Sequence, residues 1–223
     1  MYVGLDARSI SELKDVQQQE VPLAGLLNVA FGRIRRQKQY ARLFARGGSR
    51  AAELDRWLKS AAECIADLAT PLIVLKAVPT RISSIGTEIA GRITLNDPRL
   101  SQDLSNGANV TAYLLTLGYS QEEAFKRLAH DYAVHHVQTD LASEVLFALG
   151  RYSYRMQKMN SAGRKVRQVP VLTSDLCGKQ KTWDPKSVQS LIECFEEIDH
   201  GVSVTDSGCF RPLHSLLGLS VHL

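Results

Sequence analysis

Ser120 to Lys158 reads SQEEAFKRLAHDYAVHHVQTDLASEVLFALGRYSYRMQK, and this stretch sets the expected fold. It opens with a capping box, in which the Ser120 hydroxyl takes one orphan amide and Glu123 reaches back to the Ser120 amide. Phe125, Leu128, Ala129 and Tyr132 then fall on one side of a helix. Val137, Leu141, Val145, Ala148 and Tyr152 continue at spacings of four, four, three and four. Two readings stay open: one helix from Gln121 to about Lys158, or two helices divided by a turn between Ala133 and His136.

Working outward, the same grammar recurs. Ser9 to Gln19 reads as a short polar helix. Pro22 suits the first turn of a second helix, because its missing N–H is not needed there. Leu23, Leu27, Phe31 and Ile34 form the apolar stripe of that helix, Ala41 and Phe44 extend it, and Gly47-Gly48 stops it. Leu54, Trp57, Leu58, Ala61 and Ile65 mark a third helix, and Pro71 breaks it. Leu72 to Val78 is too short for periodicity to separate helix from strand. The punctuation of Pro79 to Gly107 predicts loop, with a short strand near Arg92 to Leu95. Asn109 is placed as the cap of a short helix through Leu117, and Asp184-Pro185 opens a helix with Val188, Leu191, Ile192 and Phe195 inside. The final apolar run is Leu213 to Leu219.

The expectation is a mainly α-helical, multi-helix bundle of two helical parts with at most a small strand pair. Its segments are an N-terminal helical part at 1–78, a loop-rich connection at 79–108, a central helical part at 109–175, and an acidic C-terminal segment at 176–223.

Charge is segregated along the chain. Between Glu20 and Glu53 there is no acid, while Arg33, Arg35, Arg36, Lys38, Arg42, Arg46 and Arg50 supply seven cations. Between Glu144 and Asp175 there is again no acid, and Arg151, Arg155, Lys158, Arg164, Lys165 and Arg167 supply six. With those 13 set aside from the 27 basic residues, the remaining 14 face all 23 acidic ones. A surface shaped only by solubility mixes signs, so blocks of this size point to a polyanionic partner. Arginine forks pair with phosphates, and Tyr152 and Tyr154 beside Arg151 and Arg155 could stack or donate.

The expected function is therefore non-enzymatic binding of nucleic acid, DNA favoured over RNA, by a transcription regulator or a subunit of a nucleoprotein assembly. A helix-turn-helix would place Glu122 to Asp131 as the positioning helix and Gln138 to Leu149 as the recognition helix, with Gln138 at a base edge. Asp140 and Glu144 carry the wrong sign for that role. The competing reading is a helical adaptor whose basic faces meet acidic protein partners or a second copy of the chain.

Other chemistry finds little support. His130-Asp131 lacks the upstream histidine of a metal phosphohydrolase, since no histidine precedes His130. His136 and Asp140 stand at i and i+4, with Glu144 a turn further on, a pairing that polar helix faces produce often. Cys194, His200, Cys209 and His214 have zinc-ligand chemistry at intervals of six, nine and five, which match no common finger, and Cys177 would be a surplus thiol. No nucleophile elbow or phosphate-binding glycine loop is present. No catalytic residue, metal or cofactor is expected. Four cysteines without a CxxC pair fit a reducing cytosol, so the expected location is cytoplasmic, with no membrane segment.

Overall fold

The computed structural model describes residues 16–161, 163–171 and 183–223. Its centre is a five-stranded antiparallel sheet in the order β1-β2-β6-β10-β7, with β1 at Gln17–Glu20, β2 at Leu72–Ala77, β6 at Asn109–Thr116, β7 at Val166–Pro170 and β10 at Ser215–His222. The mainly α expectation is thus overturned: the chain is a mixed α and β fold.

The physical reason lies in the central strands. β6 is buried at every position from Val110 to Thr116, so it carries no polar alternation and reads as a plain apolar run. The alternation is there, but both faces are covered. Ile73, Leu75, Tyr113 and Leu115 enter one core, while Leu72, Val74, Val110, Ala112 and Leu114 enter the other. Asn109 therefore begins a strand rather than capping a helix, and the open reading of Leu72 to Val78 resolves as strand.

Helices cover the first face. They are α1 (Leu23–Ile34), α2 (Lys38–Arg46), α3 (Gly48–Leu68), α5 (Gln121–Arg127) and α6 (Tyr132–Asn160). The capping box of Ser120 and Glu123 forms at α5. The break before α6 falls earlier than Ala133 to His136: Ala129 and His130 take positive φ of 50° and 61°. Asp131 then caps α6 by accepting from the amides of Ala133 and Val134. The helix expected across Pro22 to Arg46 is also divided, by a turn at Arg35 to Gln37.

The second face carries what the sequence suggested was loop. Residues 79–107 form a three-stranded sheet, β3 (Thr80–Ser83), β4 (Gly86–Ile89) and β5 (Ile93–Leu95), followed by α4 (Pro98–Ser105). These elements bury Ile89, Ile93 and Leu100 against the large sheet, together with α7 (Pro185–Ile192), whose Val188, Leu191 and Ile192 point inward. A two-stranded ribbon, β8 (Ser203–Val204) and β9 (Phe210–Arg211), completes this side. The polar helix expected at Ser9 to Gln19 lies mostly outside the described residues, and its last residues, Gln17 to Gln19, belong to β1 instead.

One buried polar network ties the layers together. His214, just before β10, meets the Gln121 amide with Nδ1 at 2.8 Å and the Thr139 carbonyl with Nε2 at 3.2 Å. Nearby, Gln138 donates to the Tyr119 hydroxyl at 2.6 Å. Burial is the largest influence on His214 and lowers its pKa to about 4.

Candidate anion-binding cleft

The cleft arises where α1 crosses α6 beside the β1 edge. Pro22, Gly25 and Val29 follow one another at helical spacing, so they share one face of α1. Gly25 offers no side chain there, and a Cβ at that position would meet nothing within 4 Å. On α6, Ala148, Arg151 and Arg155 form the facing row. With Tyr152 and Gln19 they enclose about 630 Å³.

The cleft is lined by two arginines, Arg151 and Arg155, against one carboxylate, Glu20. Burial, then the Arg33 guanidinium, push the Arg151 pKa down; Glu144 opposes them and Arg155 adds to them. Glu144 stands two helical turns before Arg151 and is only partly engaged. Its Oε1 accepts from Gln37 at 3.0 Å, and its Oε2 lies 3.7 Å from Arg33. The Arg151 Nη2 is sealed from solvent with no hydrogen-bond partner, and so are the Gln19 Oε1 and the Glu144 Oε2. Gln19 spends its amide nitrogen on the Tyr152 hydroxyl at 3.3 Å. A buried donor left without an acceptor costs about 1–3 kcal/mol. An anion entering between Arg151 and Arg155 would remove part of that cost.

The cations singled out in the sequence thus separate into groups. Arg33, Arg151 and Arg155 come together at the α1–α6 crossing, one from the first basic block and two from the second. Arg35 is withdrawn, held by Asp55 at 2.6 Å and stacked over Phe44 at 5.2 Å. Arg36, Lys38, Arg42 and Arg46 are exposed and form no ion pair among the described residues. Lys158 lies exposed in the last turn of α6, and Arg164 and Lys165 are exposed before β7. Arg167 is bound to Asp103 of α4, with its Nε at 2.9 Å.

Gln138 is the clear correction. It is 0% exposed and cannot reach a base edge. The whole region Gln138 to Ser143 is turned toward the core or its own helix: Thr139 donates to the His135 carbonyl and Ser143 to the Thr139 carbonyl. The expected recognition helix is an interior segment of the 29-residue α6, packed on α1 and α3. The helix-turn-helix arrangement does not form.

Among the described residues, no three His, Cys, Asp or Glu side chains gather as metal ligands. Cys194 donates to the Ser190 carbonyl, His200 accepts from the Val202 amide, and Cys209 is exposed. The Asp140 Oδ2 accepts from the Tyr40 hydroxyl at 2.6 Å, with His136 at 4.0 Å. No helix among the described residues is long and apolar enough to cross a membrane. Sequence reasoning missed Gln19, Gly25 and Val29. The one available signal was Gly25, a residue that weakens a helix unless its missing side chain is useful.

No family model and no curated protein matches the chain. Among solved structures, the chain is similar to a crystal structure of the MetH reactivation domain bound to AdoHcy. The TM-score is 0.59 and the identity 16%, over 93% of this chain and 78% of that one. At this identity the likeness establishes the shared fold, and it supports the mixed α and β architecture over a helical bundle.

Proposed function

We propose that the chain is a small-molecule-binding module whose ligand carries a carboxylate or phosphate, held by Arg151 and Arg155 in the α1–α6 cleft. The observation that carries this reading is the Arg151 Nη2, buried without a hydrogen-bond partner, with Arg155 the second cation lining the cleft. Native interiors rarely leave such a group unanswered, and the exceptions concentrate at sites of function. The shape fits as well: about 630 Å³ lies in the range of small-ligand sites. Pro22, Gly25 and Val29 supply an apolar wall opposite the arginines, and Tyr152 a ring with a polar tip.

The shared fold adds a second line of support. The similar domain was crystallised with AdoHcy, a nucleoside joined by a thioether to an amino acid, and that amino acid bears a carboxylate. AdoHcy is therefore the first ligand to test, with inorganic phosphate as the minimal anion. Isothermal titration calorimetry of the wild-type chain and Arg151→Ala supplies the test. A charge-assisted hydrogen bond is worth about 1.5–3 kcal/mol, so Arg151→Ala is expected to weaken binding by about 10- to 100-fold. Equal affinity in the two proteins would overturn the assignment of the cleft.

A further inference from the structure

We infer that the exposed cationic row of α2 binds the phosphate backbone of nucleic acid without reading its bases. The surface is independent of the α1–α6 cleft. Lys38, Arg42 and Arg46 recur every four residues, so they stand in one line on α2 at intervals of about 6 Å. All three are exposed and none forms an ion pair among the described residues. Arg36 precedes the row and Arg50 follows it, both exposed. No acid lies between Glu20 and Glu53, and the nearby Asp55 is occupied by Arg35. A surface selected for solubility alone would interleave carboxylates.

The helix is also anchored. Tyr40 is buried and its hydroxyl donates to Asp140 at 2.6 Å, while Gln37, at the helix start, donates to Glu144 at 3.0 Å. Leu43 and Phe44 pack against the core. The apolar side of α2 is thus spent inside, and the outward side carries Lys38, Arg42 and Arg46 beside Gln39 and Ala45, with no acid. That composition decides the partner class. Protein interfaces want an apolar centre, yet none of the large exposed hydrophobic residues lies on α2. Nucleic-acid contacts are polar and strongly positive and need no such centre. Phosphates recur along a strand, and a line of evenly spaced cations can meet several at once.

Fluorescence anisotropy of a labelled DNA duplex of arbitrary sequence, read from about 50 to 200 mM salt, tests the inference. The variants are the wild type, the double variant Arg42→Gln with Arg46→Gln, and Arg81→Gln as an exposed control on β3. Gln keeps helix propensity close to that of Arg, so α2 is retained. Each lost phosphate contact removes about 0.9 from the slope of log affinity against log salt, so the double variant is expected to flatten it by about two. The control should leave it unchanged, and a second duplex sequence should give the same values. No binding at the lowest salt, an unchanged slope in the double variant, or an equal loss in the control would overturn the inference. Polyglutamate competing as well as unlabelled duplex would overturn it too, in favour of an acidic protein partner.

Discussion

Replacing His214 with Gln should make the stability of this protein less sensitive to acid. The imidazole is 3% exposed and its two ring nitrogens are committed to Gln121 and Thr139. The folded state therefore favours the neutral ring, with a pKa of about 4 against 6.5 when unfolded. Because the folded pKa is depressed, the unfolded chain takes up the proton first. The contribution is present above pH 6.5 and is lost as the pH falls toward 4. Linkage between those two values gives a loss of about 2 kcal/mol on going from pH 7.5 to pH 5. Gln can accept from Gln121 and donate to Thr139 but does not titrate. Urea unfolding of the wild type and His214→Gln at the two pH values measures the difference directly. Some acid sensitivity should persist in the variant, since burial also lowers His200 and His222. The drop in stability should nonetheless be smaller than wild type by about 2 kcal/mol. An identical drop in both proteins would show that His214 is not held neutral by the network.

Gly218→Ala should destabilise by about 1–3 kcal/mol, because the added methyl would meet the Tyr113 ring and sit 2.8 Å from the Val169 carbonyl in the middle of the sheet; thermal unfolding reads the loss. Gly32→Ala should do the opposite, since a Cβ there meets nothing within 4 Å on an exposed helix face; a gain of about 0.8–1 kcal/mol in the same assay is expected. Gly25→Leu projects a side chain into the cleft from the α1 side, where a Cβ meets nothing within 4 Å, so it should abolish ligand binding in calorimetry while thermal unfolding stays close to wild type.

How much of this was legible depended on whether one face or two were buried. The capping box at Ser120, the Asp184 cap and the inner faces of α3 and α7 could be read because each helix has a solvent side. β2, β6 and β10 have none, so their period of two is invisible in a list of apolar residues. In residues 79–107 only the strand near Arg92 to Leu95 is legible, matching β5, because the strands there are only three or four residues long and sit among turn residues. The basic blocks were plain in the sequence, but their roles were set by neighbours far along the chain. Asp55 takes Arg35, Asp103 takes Arg167, and Glu144 receives Gln37 and lies near Arg33, while the Arg151 Nη2 stays without a hydrogen bond. By sequence Gln138 falls at a helical position that suits the surface, whereas Tyr119 draws it into the core.

The most direct test of the cleft assignment is a map of amide chemical shifts during titration with AdoHcy or phosphate. Changes should concentrate on Gln19, Gly25, Val29, Arg151, Tyr152 and Arg155, and should be lost in Arg151→Ala. Shifts that gather instead across the sheet, around β7 and α7, or that persist unchanged in the variant, would contradict it.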